Sequence, residues 1–472
     1  MTPPTTTART ETGTSGTFGW RFVAPILIGP VLNPINTSMI AIALVPISRD
    51  LHVTTSVVVW LVASLYLASA IAQPTMGKLA DVFGPKRVYI FGLVVVIVAG
   101  VLPSLWHTFG SVLVSRVLIG IGTSSAYPSA MSLIRDQSTR LERPTPPALL
   151  SALSIAAQTT AAIGPVLGGL LIGAFGWESI FLVNIPLAGI ALLMTIPWVP
   201  SDANRPARSG PAPTLRSIDP LGIGLFAGAL AALLFFLLDL RVANLWMLAV
   251  AVVLAGALLW WSLRQKTPFI DVRMLRRNGP LSRTYLRMLL IYFGAYTMMY
   301  GFSQWAQGPA GLSSGQAGWV QLPTAVLAAL TGITVARNRR LRLPLVLSGA
   351  IPLFGGILLM FLHASSPFWL LLVAAAFFGV PQGLASVSNQ QALYRQAPGD
   401  QLGTASGLSR TAVYLGSILS SAAIGLAFPS APSDGGLHAL GLAIAIIVGL
   451  AALLALVDPA LRTPKKTAEK SG

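Results

Sequence analysis

Few side chains able to do chemistry stand inside the apolar stretches of this chain, and they are hydrogen-bonding groups rather than catalysts. Arg116 lies in the run 110–133. Tyr292, Tyr296, Tyr300 and Gln304 recur at every fourth position, which sets them on one helix face beside Met298, Met299 and Trp305. Asn33 and Asn36 lie in the run 20–46, Gln158 in 147–174 and Gln382 in 367–393. Hydroxyls, amides and one guanidinium on apolar walls suit a cavity that holds a hydrophobic molecule by shape and orients it with a few hydrogen bonds. Two competing readings stand beside this one. The tyrosine face can be helix packing or an interfacial anchor, and Arg116 can snorkel to the headgroups.

Bond-making chemistry finds no support. There is no cysteine, and the four histidines His52, His107, His363 and His438 are scattered singly along the chain. No Gly-x-x-x-x-Gly-Lys-[Ser/Thr] cradle, His-Glu-x-x-His pair, EF-hand loop or buried carboxylate pair occurs. No Asp or Glu lies deep in any apolar run, since Asp239 and Glu178 sit at run ends. Neither an enzyme nor a cofactor or metal is expected.

The elements that would position these residues follow from composition. Hydrophobic residues are 54% and charged residues 10% of 472, against about 25% charged in ordinary soluble proteins. Mean hydropathy is +0.73. Lipid is the solvent for most of such a chain. The apolar runs are 20–46, 56–76, 88–106, 110–133, 147–174, 178–199, 219–239, 244–263, 284–306, 316–336, 343–363, 367–393, 402–428 and 436–458. Each is near or above the roughly 20 residues that cross a bilayer core as a helix. Fourteen transmembrane helices in an all-α membrane protein are predicted. The run behind the first nineteen residues is too long for a signal-peptide core and is expected to be retained.

A net charge of +17 would suggest nucleic acid in a soluble protein. Here all Lys and Arg except Arg49, Arg116 and Arg241 fall in alternate connections or the run ends adjoining them, on one side of the membrane. That asymmetry places both termini in the cytoplasm and predicts contact with anionic inner-leaflet lipid rather than nucleic acid.

The spacing divides the chain. Residues 1–19 form a disordered cytoplasmic N-terminus and 20–199 a six-helix bundle, followed by a Pro/Ser/Arg-rich cytoplasmic linker, 200–218. An inserted helix pair, 219–263, leads through the basic connection 264–283 to a second six-helix bundle, 284–458. A basic tail, 459–472, closes the chain. A repeated, pseudo-symmetric six-helix unit is the architecture of transporters that rock two bundles around a midplane site.

Three motifs sharpen this reading. Between helices 2 and 3 stands Gly77-Lys-Leu-Ala-Asp81-Val-Phe-Gly84-Pro-Lys86-Arg87, in which glycines permit a tight turn and Asp81 sits among cations. Helix 5 carries Gly164-Pro165-Val-Leu-Gly168-Gly169, a bend with room for another backbone. Helix 4 carries Arg116-Val-Leu-Ile-Gly120-Ile-Gly122. Together these resemble the major facilitator superfamily, and the helix 5 motif with the following Gly176-Trp177-Glu178 resembles its fourteen-helix drug:proton antiporter branch. The resemblance implies that Gly77, Asp81, Gly84, Lys86 and Arg87 act as a conformational latch between the halves. It also implies that Gly164, Pro165, Gly168 and Gly169 form the helix bend of exporters, although Thr160 stands where a further glycine is usual. Asn36 stands where the branch often has a membrane acid, so proton coupling must use a peripheral acid or another route.

The function expected from these features is export of hydrophobic drugs or metabolites by alternating access. It is coupled to proton antiport across a bacterial cytoplasmic membrane, and the protein works as a monomer. The alternative is a facilitator or exporter of an endogenous metabolite or lipid without multidrug activity. An uncompensated Arg116 predicts neutral or anionic substrates over permanently cationic ones.

Overall fold

The computed structural model describes residues 18–143, 146–204, 219–238, 241–265, 268–336, 341–397 and 402–461. Most of the expected linker and basic tail, nearly all of the N-terminal segment, Asp239 and the side chain of Gln158 lie outside the described residues. Regular structure within them is entirely helical. In chain order the long helices are α1 (Trp20–Asp50), α2 (Trp60–Phe83), α3 (Pro85–Leu105), α4 (Phe109–Arg140), α5 (Pro147–Phe175), α6 (Asn184–Trp198) and α7 (Pro220–Leu238). They continue with α8 (Leu245–Arg264), α9 (Gly279–Tyr296), α10 (Leu322–Ala336), α11 (Arg342–Leu359), α12 (Phe368–Gln396), α13 (Leu402–Ala427) and α14 (Asp434–Val457).

By length and composition, thirteen helices among the described residues are able to cross a membrane. The stretch of α9 is not one of them. It starts at Gly279 rather than 284, because the Asn278 side chain accepts from Leu281 N at 3.1 Å and Pro280 occupies the first turn. The earlier start draws Arg283 into the helix and sets Arg287, already within the run from 284, two turns from its beginning. Beyond Tyr296 the helix widens into a π-helical turn, Thr297–Phe302, and ends as Ser303–Gln307.

Packing repeats along the chain. Among the first six helices the pairs α1·α4, α1·α5, α1·α6, α2·α4, α3·α4 and α3·α6 touch. Among the last six, α9·α12, α9·α13, α9·α14, α10·α12, α11·α12 and α11·α14 repeat those six pairings, while α2·α3 touches only in the first set and α9·α11, α12·α13 and α13·α14 only in the second. Helices α7 and α8 pack on each other, and α7 also touches α2 and α13.

The ends of the helices are stapled alike. Asp50 at the end of α1 meets His107 of the α3–α4 turn at 2.7 Å and accepts from Trp177 Nε1, beyond α5, at 2.8 Å. In the later helices Asp434, at the start of α14, accepts from Trp305 Nε1 at 2.8 Å and faces His363 of the α11–α12 turn at 3.8 Å. The two staples use the same three junctions and exchange the places of Trp and Asp. The histidines, scattered in sequence, are therefore gathered at one end of the molecule. The other end carries Lys86, Arg87, Arg264 and Arg283, and is called the basic end below.

Helix α1 contains Pro25, Pro30, Pro34 and Pro46, each lacking a donor. Its ladder is opened further by Tyr89 of α3. The Tyr89 hydroxyl donates to Pro25 O at 2.5 Å and accepts from Gly29 N at 3.0 Å, so it is inserted between a helical donor and its acceptor. A Cβ on Gly29 would lie 2.5 Å from Tyr89 Cζ, which is why glycine stands there. Tyr89→Phe leaves both backbone groups without partners in a fully buried site. We expect a loss of about 1–3 kcal/mol, measured as a lower thermal unfolding midpoint in detergent, with no change in helix content by circular dichroism.

Candidate functional site

The first and last six helices meet along α5·α10, α2·α13 and the contact of α1 with Ser303–Gln307. Away from the basic end the halves are joined through the backbone. Arg49 Nη2 donates to Gln307 O at 3.0 Å, and Thr55 N to Ser430 O at 3.2 Å. Glycines carry the rest of the seal. A Cβ on Gly169 would lie 2.7 Å from Ser314 O, and one on Gly318 would lie 2.7 Å from Pro165 O. On the opposite side of α5, Gly168 faces the Met39 backbone, with Cα 3.2 Å from such a Cβ, and Gly164 abuts Ser38. The Gly164-Pro165-Val-Leu-Gly168-Gly169 stretch thus lets α1 and the short helix Ser314–Val320, just before α10, approach α5 at backbone distance from two sides.

Below the seal lies a layer of tyrosines. Tyr300 donates to Thr37 O at 2.8 Å and accepts from Tyr66 at 2.9 Å. Tyr296 stacks on Tyr300 with ring centroids 5.8 Å apart and planes 10° apart, and Tyr292 follows at 5.9 Å. Tyr66 also packs on Tyr296 at 5.1 Å and Tyr414 at 5.6 Å, while the Tyr414 hydroxyl donates to Gln73 Oε1. The line Tyr292, Tyr296, Tyr300 is thereby completed by Tyr66 and Tyr414, which sequence reasoning missed. A lone tyrosine within an otherwise apolar helix was the only signal for each.

Toward the basic end, polar and aromatic side chains on facing helices are exposed. Tyr127 of α4 is 36% exposed and Tyr394 of α12 is 55% exposed. Arg410 of α13 is exposed too, its guanidinium 5.8 Å from the Tyr127 ring centroid across the gap. Open polar and aromatic side chains on facing helices mark a cleft between the halves. A separate groove of about 780 Å³ between α10 and α12, lined by Trp319, Val326 and Phe368 among others, is apolar and faces outward.

The remaining residues singled out from sequence fall in different surroundings. Asn33 is half-buried and donates to Thr123 Oγ1 at 3.0 Å. Asn36 is buried and exchanges hydrogen bonds with Asn184 at 2.5 and 2.9 Å. Arg116 is 1% exposed, with Nε donating to Leu61 O at 2.9 Å and Nη1 to Asn36 O at 3.1 Å. It therefore ties three helices together rather than reaching headgroups or open space. Gln304 is buried and donates to Tyr300 O at 3.2 Å, and Gln382 is half-buried.

The loop 77–87 is held largely by its own half. Asp81 lies 3.6 Å from Arg135 of α4. Gly84 adopts a φ of +103°, a conformation glycine tolerates. Asp202 accepts from Lys86 N at 3.1 Å and Arg87 N at 2.9 Å, while Lys86 Nζ reaches Ile196 O and Val199 O at 2.8 and 2.7 Å. One contact reaches past α8: Lys78 Nζ stands 5.7 Å from the Phe269 ring centroid.

A second polar group, invisible to the sequence reading, is buried in the last six helices. Arg287 donates to Asn389 Oδ1 at 3.2 Å and Thr284 Oγ1 at 3.0 Å, and its Nη1 is 3.7 Å from Asp458. Arg283 closes on the same carboxylate at 2.9 Å. Asp50, His107 and Glu178 bring three ligand atoms within 4.8 Å of one another, but these atoms already engage one another and Trp177, so the group is a staple.

The profile described as Major Facilitator Superfamily matches residues 26–421. The chain belongs to this superfamily. It is a multi-pass membrane transporter of small molecules and not an enzyme. It is 35% identical over 447 residues to the uncharacterized MFS-type transporter YwoD of Bacillus subtilis (strain 168), covering 92% of this chain and 95% of that one. It is 28% identical to the tetracenomycin C resistance and export protein of Streptomyces glaucescens, covering 88% of this chain and 77% of that one. Among solved structures, the nucleoside transporter NupG superposes with a TM-score of 0.62 at 12% identity, covering 94% of this chain and 100% of the other. That likeness speaks for the fold alone.

Arg116→Ala strips the donors from two buried carbonyls. We expect a loss of about 2–4 kcal/mol, seen as a lowered thermal midpoint. Asn33→Ala, in a half-buried pair, should cost less than about 1.5 kcal/mol.

Proposed function

We propose that this transporter exports hydrophobic compounds from the cytoplasm of a bacterial cell by alternating access, in antiport with protons. In this reading 20–199 and 284–458 are the two moving six-helix bundles, and 219–263 is an inserted pair. The stretch from Gly279 to Gln307 serves as the fourteenth span despite its two arginines. The basic end faces the cytoplasm, as a bias of Lys and Arg toward one side favours. The observation that carries the reading is the asymmetry of the interface: backbone-close contacts at Gly169 and Gly318 at one end, and exposed Tyr127, Tyr394 and Arg410 at the other. That is the form of a carrier open to one compartment. Antibiotic-resistance and export proteins among its relatives support efflux as the direction. The cavity is assigned to the tyrosine layer with Asn33, Gln158, Gln304 and Gln382, and Asn36 and Arg116 shape its wall from behind.

Protons need acceptors, and the helices carry none at mid-depth. The carboxylates of the far end each have histidines at hand: Asp50 with His107, His52 and Glu178, and Asp434 with His363 and His438. They border the seal, since Arg49 and Gln307 join the halves beside Asp50 and Trp305. We assign proton exchange to these two clusters.

In proteoliposomes, efflux of hydrophobic dyes should accelerate several-fold under an imposed pH gradient. The double variant Asp50→Asn with Asp434→Asn should keep movement down a substrate gradient and lose its response to pH. Dye movement indifferent to the gradient in the unaltered protein would favour a facilitator instead. Gly318→Leu should abolish transport by blocking the seal. Because the chain has no natural cysteine, a single Ser303→Cys reporter in that background should gain reactivity from the side opposite the basic end.

A further inference from the structure

We infer that Arg410, set against the Tyr127 ring beside the tyrosine layer, is the binding site for the negatively charged group of an aromatic substrate. The inference rests on the export reading above and deepens it by naming a substrate class and the residue that selects it.

Four arginines of the helices, Arg49, Arg116, Arg283 and Arg287, each have a protein oxygen to hold them. Arg116 donates to two backbone carbonyls, Arg49 to another, and Arg283 and Arg287 share Asp458. Arg410 differs. Among the described residues no carboxylate forms an ion pair with it within 4.0 Å. Its neighbours are rings: Tyr127 across the cleft at 5.8 Å, with Tyr414, Tyr292 and Tyr296 also within electrostatic reach. It stands eight residues into α13, about 12 Å from the start of that helix at 1.5 Å per residue. A guanidinium at such depth is costly without water or a counter-charge. This one is exposed, so the cleft supplies water, and it lacks an acid, so the counter-charge has to come from outside.

The walls define the rest of the ligand. Tyr127 holds the guanidinium by its face, in a cation–π arrangement that leaves the edge donors free to fork onto a carboxylate or sulfonate. The hydroxyls of Tyr414 and Tyr300 are engaged by Gln73 and Thr37, so those rings are held in place. The stacked Tyr296 and Tyr300 continue inward as an aromatic wall. An anion at Arg410 therefore has an aromatic body lying toward the tyrosine layer. A narrow cleft between low-dielectric walls strengthens the preference for negative charge.

The test uses two probes with one aromatic body: 1-anilinonaphthalene-8-sulfonate, and its uncharged parent N-phenyl-1-naphthylamine. Binding to the full-length protein in nanodiscs is measured by calorimetry with empty nanodiscs subtracted. The unaltered protein should bind the sulfonate more tightly than the parent. Arg410→Gln should weaken the sulfonate about tenfold and leave the parent within about twofold, with Arg410→Lys between the two. Unchanged sulfonate binding in Arg410→Gln overturns the inference. So does equal loss of both probes at an unchanged thermal midpoint, or no preference for the sulfonate in the unaltered protein. Transport of the same probes in proteoliposomes is scored separately. Binding that follows this pattern without transport would sink the export reading and leave the anion site standing.

Discussion

Lipid offers no hydrogen bonds, so each buried donor in this chain has to find its acceptor within the protein. The structure meets that constraint locally at several points where a helix is irregular or carries a charge. Tyr89 fills the gap between Gly29 and Pro25, and Arg116 spends its donors on the carbonyls of Leu61 and Asn36. Arg287 and Arg283 converge on Asp458. Each solution draws on a neighbouring helix, so satisfying the backbone and setting the helix packing are one event. Where the constraint is relaxed, as at exposed Arg410, water must enter, and the cleft is found there.

The same economy of contacts repeats in both sets of six helices. Six pairings among α1 through α6 recur in α9 through α14, and the Asp–His–Trp staples use corresponding junctions with Trp and Asp exchanged. The exchange matters physically. The hydrogen bond from indole to carboxylate is kept whichever helix supplies the donor, so the tie survives divergence of the individual residues. Between the sets, backbone contact at Gly169 and Gly318 requires the absence of side chains, which allows a tight seal without strong polar bonds. Contacts of that kind form and part without stranding buried charge, a property suited to a carrier that must open and close.

Much of the architecture was legible because a bilayer demands about 20 apolar residues per crossing, and this chain punctuates such runs with Gly, Pro and Arg. The Gly164 to Gly169 stretch announced close approach, and close approach is found. The start of α9 lies earlier than the apolar run because Arg283 has the character of a basic connection, while Asn278 and Pro280 supply a helix start that hydropathy does not report. The tyrosine face of α9 was visible as a period, but its partners Tyr66 and Tyr414 lie on other helices, and no spacing within one helix reports them. Arg410 does not stand out in the sequence, because its position near a helix end resembles that of the other basic residues of that side.

The sequence alone determined that the chain lives in lipid, how its spans are distributed, which loop and which helix carry glycine motifs, and that no acid sits at mid-membrane. Those properties are additive along the chain, since hydropathy, charge bias and backbone freedom belong to residues and their near neighbours. Tertiary structure alone decided that Arg116 is enclosed while Arg410 is open, that Asn36 turns to Asn184, and that the histidines gather at one end. It decided also that one end of the interface is sealed. Such outcomes depend on which helix faces which, and that is settled by the packing of many weak contacts at once.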